Sequence, residues 1–370
     1  MQKRSLGLTL FGCLAIFFAA CGGGATPSPA APATVAGSPA ASGKPLKIGV
    51  VTDVGQLDDK SFNQFTNEGA KEAATELGGS HQVIVTKNIS DYRKNIDTFV
   101  QQGFDVIVTA GALLGTDTAN AALANPKVHF VGIDQSICVD KAGKANFTDC
   151  SGDPATLMPN YQGVVFAEEQ PGYLVGIIAA SLSKSGTIGA VGGTNVPAVV
   201  AYNAGYVAGA KSVNPNIKTL YKEADPDPSK GFNNPGLGKS IGQQMIGQGA
   251  DVLFQVAGGT GVGVLEAACN AKIHAIGVDV DQALSIPSAA KCIVTSAEKK
   301  LKEYTKLVVK SVADGTFKAG NQVYNAASDP PGIGVSPYHD FASLITPEIQ
   351  AKVDKAFADM KAGTLKPPRK

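Results

Sequence analysis

Residues 47–64 read KIGVVTDVGQLDDKSFNQ. Lys47 to Thr52 is a short, nearly continuous apolar run with β-branched residues, the pattern of a strand buried on both faces of a parallel sheet. Asp53 and Gly55 end it. Ser61-Phe62-Asn63-Gln64 then opens a helix. Ser at the cap position and Gln three residues on can satisfy the first free backbone amides reciprocally. Asp59 offers another way to cap the same helix, because acids near a helix start are favourable. The helix is expected to reach Leu77 and stop at Gly78-Gly79.

Working outward, the alternation of strand and helix continues. Strands are expected at Gln82–Thr86, Asp105–Thr109 and Val128–Ile133, with helices near Asp91–Gln102 and Thr116–Ala124. A second set follows, with strands Thr187–Val191, Ile217–Tyr221, Val252–Val256, Ile273–Val278 and Cys292–Thr295. Its helices are Pro171–Ser183, Pro197–Ser212, about Lys239–Gln248, and Val262–Asn270. Short buried strands separated by helices predict an α/β chain with two doubly wound parallel-sheet lobes. In such sheets ligands collect beyond the carboxyl ends of the strands. Asp53, Gly111, Asp134, Gly258-Gly259 and Asp279 all stand at such ends. Each alone is an ordinary turn residue; together they form a constellation.

The first residues place the chain in the cell. Lys3 and Arg4 precede an apolar run, Leu6 to Phe18, which closes on Ala19-Ala20-Cys21. That is an export signal over residues 1–20, too short to stay as a membrane span. Its end resembles a bacterial lipobox, with Cys21 carrying the lipid. Residues 21–44 continue with Gly, Ala, Pro, Ser and Thr, a composition that predicts a disordered spacer. The expected location is extracytoplasmic, anchored to the cell membrane.

A net charge of +1, with charges of both signs mixed along the chain, argues against nucleic acid as a partner. Once Cys13 leaves with the signal, Cys138, Cys150, Cys269 and Cys292 remain. An even number in an oxidising compartment suggests disulfides, with Cys138–Cys150 the more local pairing and Cys269–Cys292 following from it. The four His residues are scattered and no CxxC occurs, so no metal site or cofactor is expected.

The segment Asp53 to Gln64 resembles the hallmark of the basic membrane protein family of bacterial lipoproteins, the purine-nucleoside receptors of ABC transporters. More of the pattern recurs in order: Glu168-Glu169-Gln170 before Tyr173-Leu174-Val175-Gly176, Gly192-Gly193 before Pro197, Ala257-Gly258-Gly259-Thr260-Gly261, Gly277-Val278-Asp279-Val280-Asp281-Gln282, and Thr295-Ser296 with Lys299. The likeness spans Lys47 to about Ala362. Tyr202 departs from it, standing where the family is expected to place Phe on a base, and so do the four cysteines.

The resemblance implies a type I periplasmic-binding fold with three hinge crossings. The first lobe would hold residues 45–167 and 298–321, the second 168–297 and 322–370. A nucleoside, expected to be a purine, would bind between the lobes, and the chain, a monomer, would deliver it to an ABC permease. Phe62 and Tyr202 would sandwich the base, since aromatic stacking contributes about 1–3 kcal/mol per base. Asp53, Asn63 and Asp134 would read its edges. Asp279, with Lys299, would take the ribose hydroxyls, with Gly258 and Gly259 letting backbone amides approach, and Gly111 would also line the site. A receptor for a sugar or autoinducer-like molecule, and a nucleoside sensor that does not transport, are the alternatives. An enzyme is not expected, because no nucleophile–base pair is visible.

Overall fold

A computed structural model describes residues 45–146 and 149–370. The expected signal, Cys21 and the spacer to residue 44 lie outside the described residues. Among the described residues no helix is long and apolar enough to cross a membrane.

The first half runs β1 (Lys47–Val51), α1 (Phe62–Glu76), β2 (Ser80–Ile84), α2 (Tyr92–Gln101), β3 (Val106–Ala110), α3 (Gly115–Ala124) and β4 (His129–Ile133). A small hairpin, β5 (Cys138–Val139) and β6 (Ala145–Asn146), a short α4 (Pro154–Leu157) and β7 (Tyr161–Phe166) complete it. The second half runs α5 (Glu169–Leu182), β8 (Thr187–Gly192), α6 (Pro197–Val213), β9 (Lys218–Glu223), α7 (Pro235–Gly247), β10 (Val252–Val256), α8 (Gly258–Ala271), β11 (His274–Asp279), α9 (Gln282–Ser285) and β12 (Ile293–Lys299). Then follow α10 (Leu301–Ala313), β13 (Gly320–Tyr324), β14 (Ile333–Val335) and α11 (Pro347–Lys361).

Two six-stranded sheets result, in the orders β2-β1-β3-β4-β7-β13 and β9-β8-β10-β11-β12-β14. The two orders are the same fold repeated. Every pairing within them is parallel except β12 with β14. The strand side chains divide between two apolar layers. Ile48 and Val50 of β1 join one core, Val51 and Ile107 the other. In the second sheet Val252 and Phe254 face one core and Leu253 its opposite. Burial on both faces is why these strands read as continuous apolar runs.

The chain passes from sheet to sheet after β7, after β12 and between β13 and β14. Pairing of β13 with β7 continues to Tyr324 opposite Phe166, so the first sheet extends past the boundary expected at Asn321. Likewise β12 stays in the second sheet to Lys299, two residues past the end expected at 297. Cys138 is bonded to Cys150, and Cys269 to Cys292.

Candidate ligand-binding cleft

The carboxyl ends of the two sheets face each other across a cleft of about 680 Å³, counting the part open to solvent. Asp53, Asn63, Gly111 and Asp134 line it from the first sheet; Tyr202, Gly258, Asp279 and Lys299 line it from the second, and Phe62 stands beside them. Gly259 is the exception. It lies behind Gly258, next to the Phe232 carbonyl, because α8 has already begun and turns it away.

Asp53 leaves β1 with one carboxylate oxygen committed. Oδ1 accepts from the Val54 N–H at 2.7 Å and from the Tyr92 hydroxyl. Oδ2 lies over Gly111, where a Cβ would come within 2.1 Å of it. Gly111 also has φ +102°, a region other residues avoid. Burial pushes the Asp53 carboxyl up to about 6, against the two hydrogen bonds. The Asp53 N–H in turn donates to Asn63 Oδ1 at 3.2 Å, fixing that side chain at the cleft wall.

The start of α1 corrects the expected reciprocal cap. Ser61 makes no side-chain cap bond, and Gln64 donates to Glu68 instead. Asp59 does the capping: its carboxylate accepts from the N–H groups of Ser61, Asn63 and Gln64 at 3.0, 2.9 and 3.2 Å. Burial nevertheless raises its carboxyl to about 7. Ser61 is thereby freed for another partner, and its hydroxyl donates to Asp279 Oδ2 on the opposite lobe at 2.6 Å. Beside it, Lys60 has φ +60°, and its carbonyl accepts from Ser285 Oγ at 3.0 Å and Gln282 Nε2 at 3.4 Å.

Asp134 and Asp279 occupy equivalent places, just after β4 and at the end of β11, and both have positive φ, +57° and +67°. The left-handed turn at each aims its carboxylate inward. Between them sits Lys299, 3 % exposed. Its ammonium pairs with Asp134 Oδ2, lies 3.5 Å from Asp279 Oδ1 and stands 4.8 Å from the Phe62 ring centroid. Burial alone would lower the Lys299 pKa; Asp134, Asp279 and Glu168 together outweigh it and hold the pKa above its ordinary value. Burial likewise pushes the Asp134 carboxyl up, against the pull of Lys299. Asp134 Oδ1 is buried with no protein partner, a cost usually tolerated where something else is meant to bond it.

Phe62 and Tyr202 both line the cleft, with the Lys299 ammonium 4.8 Å from the first ring centroid and 5.8 Å from the second. The Tyr202 ring is wholly covered, packed edge-on to Phe254, and its hydroxyl reaches the Ala297 carbonyl at 3.3 Å and Asp279 Oδ1 at 3.4 Å. It braces Asp279 from behind. The ring that sequence reasoning missed is Phe232, which lines the cleft together with Val196, Val199 and Val278. It fits over Gly193, where a Cβ would stand 2.1 Å from the ring. The loop that carries it is tied to α8: the Thr260 N–H donates to the Phe232 carbonyl at 3.2 Å, and the Asn234 N–H donates to Thr260 Oγ1 at 2.8 Å. A polar wall on the first lobe thus faces a largely apolar one on the second.

The family described as "ABC transporter substrate-binding protein PnrA-like" matches residues 46–358. The chain belongs to the Bmp family. It is similar to the ABC transporter nucleoside-binding protein BmpA of Lactococcus lactis, 31 % identical over 88 % of this chain and 90 % of the relative. Basic membrane protein B of Borreliella burgdorferi is also 31 % identical, over 76 % of each chain. Among solved structures, an ABC transporter solute-binding protein of Aeropyrum pernix superposes with a TM-score of 0.73 at 23 % identity, covering 88 % of this chain and 94 % of that one. That likeness bears on the fold alone. Membership of the Bmp family makes this chain an ABC transporter substrate-binding protein.

Proposed function

We propose that the chain is a membrane-tethered, extracytoplasmic receptor, not an enzyme, that captures a purine nucleoside and hands it to an ABC permease. The lobes close on the ligand about the crossings after Phe166, after Lys299 and after Tyr324. What carries the reading is the chemistry of the cleft. Phe62 and Phe232 offer flat faces at a site whose remaining polar atoms suit the edge of a base. Asp53 Oδ2 and the unpartnered Asp134 Oδ1 accept from N–H groups, and Asn63 Nδ2 donates. Asp279, braced by Tyr202, takes ribose hydroxyls, and Lys299 bridges it to the opposite lobe. A name given to a relative, nucleoside-binding protein, points the same way.

The test is calorimetric titration of the soluble form begun after Cys21, stripped of ligand by unfolding and refolding. The panel holds inosine, guanosine, adenosine, cytidine, free bases, ribose and galactose. One-to-one binding of purine nucleosides, with free bases much weaker, is expected, because a free base forgoes the hydrogen bonds that ribose hydroxyls would give to Asp279. A response to a sugar alone, or equal affinity for adenine and adenosine, overturns the nucleoside assignment.

A further inference from the structure

Glu168-Glu169-Gln170 is the first crossing between the sheets, and the ligand contacts leave it unused. Gln170 Oε1 accepts from the Ala326 N–H at 2.9 Å, and the Ala167 N–H donates to the Tyr324 carbonyl at 3.0 Å. These bonds tie the first crossing to the third. Glu168 is 1 % exposed, a burial that a carboxylate tolerates only with a charged partner. Its partner comes from far along the chain. Beyond α11, Leu365 packs on the core and Pro367 is buried; Pro367-Pro368 stiffens the backbone that follows. Arg369 then spreads over the crossing: Nη2 meets Glu168 Oε2 at 2.9 Å, Nη1 meets Glu169 Oε2 at 2.5 Å, and Nη1 donates to the Phe166 carbonyl at 3.2 Å.

We propose that Arg369 is a positioning residue of the ligand cleft, pinning the first crossing through Glu168 and Glu169 and supplying the second cation of the buried charge cluster behind the ligand. Within that cluster Glu168, Asp134 and Asp279 face the single ammonium of Lys299, with the Tyr202 hydroxyl alongside. One lysine cannot satisfy three carboxylates. Without the guanidinium, Glu168 competes for Lys299 and draws it from Asp134, which loosens the polar wall at the point where a ligand edge meets it. Burial, followed by the charge of Asp134, already raises the Glu168 carboxyl to about 7; Lys299 and Arg369 oppose that rise. Loss of Arg369 therefore matters most at alkaline pH, where Glu168 is ionised and unpaired. At mildly acidic pH Glu168 takes a proton instead, and the cluster keeps its arrangement.

The experiment rests on the nucleoside reading for its ligand and on ligand-free unfolding for its control. Inosine affinity and urea midpoints are measured from pH 5.5 to 8.5 for wild type, Arg369→Gln, Arg369→Lys, and Arg369→Gln combined with Glu168→Gln. Arg369→Gln is expected to weaken inosine binding at least about tenfold at pH 8, because it strips the buried Glu168 carboxylate of its solvent-facing guanidinium partner, and far less at pH 5.5. Arg369→Lys recovers part of the loss and Glu168→Gln most of it. A wild-type Kd and pH profile in Arg369→Gln overturns the proposal. If the wild type binds no nucleoside, the ligand assignment falls, and the unfolding series decides the latch. Equal midpoints for Arg369→Gln and the double variant at pH 8 then overturn it.

Discussion

Replacing Ser61 with Ala removes one hydroxyl whose single hydrogen bond spans the two lobes. Its donor–acceptor distance to Asp279 Oδ2 is 2.6 Å and both groups are buried. The α1 start survives the change, because Ser61 contributes to it only through its backbone, the N–H donating to Asp59 and the carbonyl accepting from the Phe65 N–H. In the open form the hydroxyl bonds water, so the substitution costs that state nothing. A hydrogen bond to a charged group nets about 1.5–3 kcal/mol, all of it lost from the closed form. At 1.4 kcal/mol per factor of ten, the closed-to-open ratio falls by about 10- to 150-fold. Ligand affinity falls by the same factor where the ligand-free receptor is mostly open, and by less the more it is already closed. Calorimetry with inosine reads the affinity, and small-angle scattering of the ligand-free protein reads the opening. An unchanged Kd together with an unchanged scattering profile would show that the contact carries no closure energy and refute the reasoning.

Phe232→Ala should weaken nucleoside binding by about 1–3 kcal/mol, the contribution of one stacking face. Tyr202→Phe should cost much less, because the hydroxyl bonds it loses are long, 3.3 and 3.4 Å; the reverse ranking in titrations shows that the Tyr202 hydroxyl, and not the Phe232 ring, carries the binding. Asp59, with an ordinary value of 3.8 raised to about 7, keeps a proton in the folded state that the unfolded chain gives up. Folded protein therefore binds more protons between these values, and stability should fall as pH rises from about 4 to 7. Asp59→Asn should flatten the urea midpoints over that window, and a steeper profile would contradict this. Replacing Cys269 and Cys292 together by Ser should cost about 3 kcal/mol, set by the 23-residue separation and the entropy of the freed loop. Chemical unfolding measures it, and a loss below about 1 kcal/mol shows that the bridge does not constrain the unfolded chain as argued.

The strands legible in the sequence were those buried on both faces, such as Val252–Val256, whose bounds agree with β10. β7 escaped notice because Gln162 and Gly163 interrupt YQGVVF; Gln162 is buried all the same, bonded to the Tyr324 hydroxyl. β13 and β14 are short and lie at sheet edges, where polar residues such as Asn321 and Gln322 blur any strand signal. At the site, Asp53, Asp134 and Asp279 were legible because each stands where a buried strand stops. Phe232 was not. It sits in a loop among Asp, Pro, Lys, Gly and Asn, and long-range bonds of that loop, such as those to Thr260, hold its ring at the cleft. The role of Ser61 was hidden by its good cap position: the local sequence offers both Ser61 and Asp59 as caps, and only the fold shows that Asp59 takes the amides. Arg369 could not be foreseen at all, because its partners lie 200 and 201 residues away.

The Lys60 carbonyl, the Ser61 hydroxyl and the Lys299 ammonium all reach partners on the opposite lobe. These are contacts of protein with protein and need no third party. A receptor so built has its own reason to shut, and a shut molecule is blind to solute until it reopens. At low solute concentration its capture rate is then governed by reopening, not by diffusion. Once a guest is inside, the same contacts lengthen its residence time. Speed of uptake and security of retention are set by one group of bonds and cannot be tuned apart, so a variant that loads faster will also leak faster.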